Sequence, residues 1–410
     1  MRLAFVDLLF SWPPNGGADV DLFHVIEGLQ HARHEVKLFG VSDDVSWDRG
    51  KFEPGALPFP AERLDFTAAD FTHANVASRV RAAVDPWKPE AVFVCDGFFL
   101  KPYVLSALAG YTLVSRYYAY EAVCHRDMTH FRGGQPCPNH YLRTPDVCRK
   151  CTLERMRLEL RREHPLAWAQ EYLAARAYAP EFHRAVLESW THVRAAIVSN
   201  RIMQEQLAPY CEAVCILPGG VDIENFTYVP APVKPGGERK IILMAGRAED
   251  PLKGADLLYR AGETLARHRD DFEIQITLPE DSPATPWFRP AGWQSHDEIR
   301  TLYQQADCCV VPSVWDEPFG LVALEAMASG RPVCASRVGG LQDIVVDGET
   351  GFLFERGNPE ELCQKLVLLL DDAALRARMG EAGRRRVEDH YTWPRVILQH
   401  YEPFLERLRP

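Results

Sequence analysis

No apolar run in this chain approaches the roughly 18 residues that a helix needs to cross a bilayer, so nothing in it reads as a membrane span. Positive charge is in deficit: 46 lysines and arginines against 57 aspartates and glutamates leave a formal net charge of -11. That balance excludes a general affinity for nucleic acid and leaves peripheral membrane contact to a local basic patch. Internal repeats and low-complexity tracts are lacking, which removes solenoids and disordered linkers from the alternatives. The opening LAFVDLLF has no small-residue cleavage site after it and reads as a first strand. With no export signal, the expected compartment is the reducing cytoplasm, where the 11 cysteines are thiols or metal ligands before they are a disulfide scaffold.

What is present is alternation. Short apolar runs at Leu3 to Phe10, Glu35 to Gly40, Ala91 to Cys95, Tyr111 to Ser115 and Ala195 to Ser199 are separated by helical patterns. The same holds for Lys240 to Ala245, Glu273 to Leu278, Cys308 to Pro312, Pro332 to Ser336 and Gly351 to Phe354. Strands spaced by crossover helices predict parallel sheets. A chain of 410 residues is long enough for two such doubly wound domains. The break is expected between Asn200 and Gly236, where VPAPVKPGG supplies proline and glycine.

The densest chemistry lies in EPFGLVALEAMASG, from Glu317 to Gly330. Pro318 and Gly320 suit the entry of a helix and the residues from Ala323 onward suit its body, so Glu317 belongs to a loop and Glu325 to the second turn. The amides of Phe319, Gly320 and Leu321 fall between the two carboxylates, and unpaired N–H groups at a helix start attract phosphate. Arg247 and Lys253 follow the first strand candidate of the second domain, at the edge where open α/β sheets bind ligands. Two cations there suit the negative charge that develops as a diphosphate leaves.

In order along the chain stand LPGGVDIENF from Leu217, MAGR ending at Arg247, Lys253-Gly254 and GWQSHDEIRTLYQQADCCVVPS from Gly292. After them come the paired-glutamate segment, RPVCAS from Arg331, GGLQDIVVDGETGFLF from Gly339 and YTW from Tyr391. This succession resembles the retaining nucleotide-sugar glycosyltransferases of family four, which have the GT-B fold. The resemblance covers nearly the whole C-terminal half. It implies two Rossmann-like domains facing a central cleft: residues 1–204 for the acceptor, 205–382 for the donor, and a terminal helix over 383–410 that packs back on the first. It also implies that Arg247 and Lys253 hold the diphosphate without a catalytic metal. By the same likeness Glu325 accepts from the ribose hydroxyls and Glu317 contacts the hydroxyls of the transferred sugar. Retention by front-face attack, with the leaving phosphate taking the acceptor's proton, needs no general base among them.

From the first half, Gly16 and Gly17 in PPNGGADVD allow backbone amides to approach a phosphate. The pair is not G-x-G-x-x-G, and no nicotinamide site is read from it. Asp19 and Asp21 form a D-x-D pair, but at the start of an amphipathic helix carrying Leu22, Phe23, Ile26 and Leu29 they read as favourable first-turn acids. His125-Arg126-Asp127 imitates a kinase catalytic loop without the partners a kinase needs. Many members of the family carry a histidine after the strand matching Tyr111 to Ser115. Here the candidates to replace it are Tyr117, Tyr118 and His125.

More than seventy residues, about 117 to 190, separate two strand candidates, too many for a structureless loop. This insertion holds Cys124, Cys137, Cys148 and Cys151, the last two as C-x-x-C before a helical stretch. Such spacing suits a structural zinc site that fastens a segment lacking its own core; free thiols and disulfides are the alternatives. His125, His130 and His140 could substitute as ligands. Tyr117, Tyr118, Tyr120 and Tyr141 could offer ring faces to an acceptor sugar, though clustered tyrosines more often pack in a core. Arg155, Arg157, Arg161 and Arg162 alternate with Glu154, Glu159 and Glu163 and read as a solvated face.

These readings converge on a metal-independent retaining glycosyltransferase of hexosyltransferase type, with a nucleoside-diphosphate sugar as co-substrate and a hydroxyl acceptor. The acceptor class stays open among glycan, lipid-linked carrier and small molecule, as does the oligomeric state. The alternatives are a GT-B-fold nucleotide-sugar epimerase and a non-catalytic, zinc-stabilised binding module.

Overall fold

A computed structural model describes residues 1–44, 49–162, 166–230 and 238–409, together with the backbone but not the side chains of residues 296 and 297. The chain forms two compact units. One comprises Met1–Arg132, Cys137–Pro218 and Ile397–Pro410, the other Gly133–Pro136 and Gly219–Val396. Most of the proline-rich stretch expected as a linker, 231–237, lies outside the described residues.

The first unit is built on a parallel sheet of strands β1 (Arg2–Asp7), β2 (Glu35–Asp43), β3 (Ala61–Phe66), β4 (Ala91–Val94), β5 (Thr112–Arg116), β6 (Val193–Val198) and β7 (Val214–Ile216). Their order is β3-β2-β1-β4-β5-β6-β7, so the winding reverses between β1 and β4. Strand β1 stops at Asp7, short of the expected Phe10, because the Asp7 carboxylate accepts from the amides of Leu9 (2.8 Å) and Phe10 (2.6 Å) and turns the chain. Helix α1 (Gly17–His31) follows and buries Leu22, Phe23, Ile26 and Leu29.

Between β5 and β6 the long segment folds into helices α2 (Pro145–Glu159), α3 (Ala167–Ala174) and α4 (Pro180–Trp190). It is fastened by Glu171 of α3. This buried carboxylate accepts from the amides of Phe98 (2.9 Å) and Leu100 (3.0 Å) after β4 and pairs with Arg49 at 3.0 Å.

The second unit carries strands β8 (Lys240–Met244), β9 (Phe272–Ile276), β10 (Phe288–Pro290), β11 (Cys308–Val311), β12 (Val333–Ser336) and β13 (Gly351–Phe354). They are parallel, in the order β10-β9-β8-β11-β12-β13. Sequences such as CCVV in β11 are apolar on both faces, as a sheet covered on both sides requires. Leu243 faces one core cluster, while its neighbours Ile242 and Met244 face the other. The covering helices include α5 (Ala255–Ala266), α6 (His296–Gln305), α7 (Leu321–Ala328) and α8 (Ala373–His390).

The chain end departs from the single helix expected from Gly383 to Leu408. Helix α8 ends at His390, a short turn of helix spans Trp393–Val396, a π-turn spans Ile397–Tyr401, and a last helix runs Glu402–Leu408. Pro403 accounts for the wide turn, since it lacks the N–H that would bond back one turn and its ring crowds that carbonyl. The two units divide inside this stretch, at Val396 and Ile397, and again at Pro218 and Gly219. The α-helix Arg201–Leu207 and edge strand β7 belong to the first unit.

Candidate functional site

In the second unit the winding reverses between β8 and β11, which lie side by side. Loops leaving the carboxyl ends of adjacent strands at such a reversal diverge and leave a crevice for a ligand. The loop after β8 carries Arg247 and Lys253; the loop after β11 carries Ser313 to Gly320. They are joined by the Val314 amide donating to the Leu252 carbonyl at 2.9 Å. Gly254 permits the approach. It sits at φ +83, and a Cβ there would stand 2.0 Å from the Pro312 carbonyl oxygen.

Across this junction Lys253 Nζ donates to both oxygens of Glu317, at 2.7 and 2.9 Å. The side chains are 23% and 12% exposed, so the pair is largely shielded yet reachable. Ser313 donates its hydroxyl to Glu317 Oε2 at 2.9 Å, and Lys253 lies 5.6 Å from the centre of the Trp315 ring. Arg247 is exposed, with no partner for its guanidinium among the described residues. Of the three charged groups expected here, the fold thus couples Lys253 to Glu317 and leaves Arg247 open.

Helix α7 begins at Leu321, two residues earlier than the run from Ala323 suggested, and no side chain caps it. Its entry residue Gly320 has φ +121, a conformation open to glycine. The Glu317–Phe319 turn is pressed against Gly339 and Gly340, where added Cβ atoms would stand 2.0 Å from the Glu317 carbonyl oxygen and 2.5 Å from that of Phe319. The Gly340 amide donates to the Glu317 carbonyl at 2.8 Å. Phe319, Gly320 and Leu321 thus form the first turn that precedes Glu325. The Glu325 carboxylate accepts from the Tyr303 hydroxyl at 2.9 Å. Burial raises its pKa, with that hydrogen bond pulling the other way. Ser313, Tyr303 and the Gly339-Gly340 pair are the residues that single-segment reading missed. All lie within quoted motifs; Tyr303 reaches Glu325 from helix to helix, the Gly339-Gly340 pair meets the Glu317 turn from a later loop, and Ser313 reaches Glu317 within one loop.

In the first unit Gly16 caps α1 and Gly17 opens it, so Gly17 belongs to the helix and not to the loop. Gly16 has an extended φ of -168 and empty space where a Cβ would be, so nothing within the chain demands glycine there. Asp19 accepts from the amides of Ser11 (3.1 Å) and Asn15 (2.8 Å), and burial moves its pKa up to about 6. Asp21 pairs with Arg116 at 2.8 Å. The D-x-D acids therefore serve the fold around α1. Tyr117, Tyr120 and Tyr141 are buried, with Tyr117 stacked on Trp190 at 5.5 Å. His125 packs against Tyr141 (3.6 Å) and Phe99 (5.4 Å), and burial holds its pKa down to about 3. Arg155 and Arg162 both pair with buried Glu159, at 2.8 and 3.2 Å. Near the chain end, Tyr391 donates to the Asp343 carbonyl at 3.3 Å and Trp393 packs on Gly220.

Cys124, Cys137, Cys148 and Cys151 line a single cavity of about 240 Å³ in the first unit. All 11 cysteines are free thiols. Among the described residues no three Cys, His, Asp or Glu side chains stand close enough to hold one metal ion as they are placed. Of the expected substitutes, the His130 ring is engaged with the Asn139 carbonyl (2.8 Å) and His140 Nδ1 accepts from the Leu142 amide (3.2 Å). Among the described residues no helix is long and apolar enough to cross a membrane.

Two doubly wound α/β units define the class first: this is the GT-B architecture. A sucrose-phosphate synthase from Thermosynechococcus elongatus shares the fold with a TM-score of 0.67 at 20% identity, over 99% of both chains. Anabaena HepE in complex with UDP-glucose shares it with a TM-score of 0.65 at 17% identity, over 99% of this chain and 100% of the other. Sequence then narrows the relation. Residues 289–386 match the family described as glycosyl transferases group 1. The chain is 32% identical over 216 residues to a D-inositol 3-phosphate glycosyltransferase of an Arthrobacter species, a match covering 47% of this chain and 50% of that one. It spans about half the length of the curated relatives it matches.

Proposed function

We propose that the chain is a retaining glycosyltransferase that moves a sugar from a nucleoside-diphosphate sugar to a hydroxyl acceptor. The observation that carries this reading is the largely shielded Lys253–Glu317 pair at the β8/β11 reversal, beside an uncapped helix start and an open arginine.

An ammonium has three donors. Glu317 engages its two oxygens with Lys253, which leaves donor capacity for a phosphate oxygen. Arg247 is free to form a second, forked contact, and the first amides of α7 add their dipoles. The developing charge of the departing diphosphate meets fixed positive groups without a metal ion. Glu317, held by Lys253 and Ser313, is oriented to accept from hydroxyls of the transferred sugar. Glu325 accepts from the ribose, and Tyr303 sets its rotamer. The acceptor hydroxyl attacks from the face the phosphate leaves, and that phosphate takes its proton. Rate enhancement then comes from positioning and electrostatics.

The test is incubation with UDP-, GDP-, ADP- and dTDP-sugars, following nucleoside diphosphate release with and without a panel of hydroxyl acceptors. Release that rises with acceptor supports transfer. An isomerised sugar without release would replace the reading by an epimerase, and binding without either product would replace it by a binding module.

A further inference from the structure

Seven of the 11 cysteines lie in or directly beside the strands of the two sheets or on the helix Pro359–Asp371. The other four, Cys124, Cys137, Cys148 and Cys151, come from separate stretches of the β5-to-β6 segment and meet around one cavity of about 240 Å³. We propose that this cavity is a structural zinc site with these four thiolates as ligands. The inference is independent of sugar transfer.

Three observations support it. Cys148 and Cys151 lie three apart on helix α2, so the helix presents both sulfurs on one side. The cavity is also lined by Arg126, Arg132 and Lys150 together with the carboxylates of Asp127 and Glu154, and Arg132 Nη1 donates to Cys151 Sγ at 3.3 Å. Binding releases one proton from each thiol to solvent, and a Zn²⁺ with four thiolates carries a net charge of -2. Three cations against two carboxylates leave the wall one formal positive charge toward offsetting it. Thiolate ligands select zinc over magnesium or calcium, which prefer oxygen. Finally, no pair of these sulfurs is bonded, so all four remain available to one ion.

As placed, the thiols ring the cavity without converging at metal distance. Cys124 instead points to Asp127 at 3.7 Å and Cys148 to Thr144 at 3.8 Å. Binding demands that these side chains leave those partners and turn toward one point. The ion would tie the start of the segment at Cys124 to α2, and so steady the piece that carries Glu171 to the amides of Phe98 and Leu100.

The experiment uses the full chain, purified without a histidine tag and without chelator. Elemental analysis should give about one zinc per chain. Replacement by cobalt(II) should give the visible absorption of a tetrahedral thiolate site. A C148S/C151S variant should lose at least about nine-tenths of the metal, and hydrogen exchange in residues 120–160 should quicken in it and in chelator-stripped wild type alike. Zinc near zero with no cobalt spectrum would overturn the proposal. So would iron in its place, or full zinc retention in a C148S/C151S chain that keeps its circular dichroism.

Discussion

Glu317 is held on one side by an ammonium and on the other by a hydroxyl, so replacing it by glutamine keeps its shape and removes its charge. Glu317→Gln should lower kcat by at least about tenfold, or about 1.4 kcal/mol of transition-state stabilisation, with a smaller effect on donor affinity. Unchanged steady-state kinetics would remove its role. Glu325 predicts a different signature. Ionised, it accepts from a ribose hydroxyl more strongly than when protonated, and burial raises its pKa, so its contribution to nucleoside diphosphate affinity should grow as pH rises above the usual carboxylate range. Calorimetric titrations of wild type and Glu325→Gln across that range should diverge as pH increases. Parallel profiles would contradict the role. Glu121 tests the buried charges of the first unit. Burial raises its pKa from 4.5 to about 7 despite Lys101 at 3.9 Å. Between those values the folded chain holds a proton that the unfolded chain has lost, so this group's contribution to stability falls as pH rises from about 4.5 to about 7. The span corresponds to at most roughly 3 kcal/mol. Denaturant midpoints of Glu121→Gln should lack that part of the pH slope. At this scale the charged residues were readable because each stands in a local motif. Tyr303 was not assigned because its partner Glu325 is reached only after α6 packs on α7, and Ser313, four residues before Glu317, because nothing in the loop's sequence shows which way its hydroxyl turns.

Elements were legible where their strands are central. Within the two parallel sheets, the three strands not anticipated, Ala61–Phe66, Val214–Ile216 and Phe288–Pro290, are all edge strands. AERLDF carries three charges and FRP a proline, as edges tolerate and interiors do not. The loops between elements are more exacting than their sequences suggest. Gly254→Ala would place a methyl group 2.0 Å from the Pro312 carbonyl oxygen at φ +83. The conformation alone costs about 1–2 kcal/mol, so with the clash a loss of about 3 kcal/mol is expected by chemical denaturation. Because the Leu252–Val314 contact lies beside it, nucleoside diphosphate affinity should fall in parallel. A variant as stable as wild type would show that the two loops are not packed as described.

For the whole molecule, alternating strands and helices made a pair of parallel α/β sheets readable. The α-helix Arg201–Leu207, strand β7 and residues 397–409 belong to the first unit, the last of these returning to it from the far end of the sequence. The segment between β5 and β6 stands out in the sequence by its length, while its bolt, Glu171 against Arg49 and the loop after β4, joins residues more than seventy positions apart. The central claim is that the donor binds at the carboxyl edge of the second sheet, between the loops after β8 and β11. A crystal structure of the chain with a nucleoside-diphosphate sugar that it turns over or binds measures this directly. The account predicts the diphosphate against Arg247, Lys253 and the first amides of α7, with the ribose on Glu325 and the sugar on Glu317. A donor bound elsewhere, with the Lys253–Glu317 pair untouched and Glu325 still engaged only by Tyr303, would contradict it.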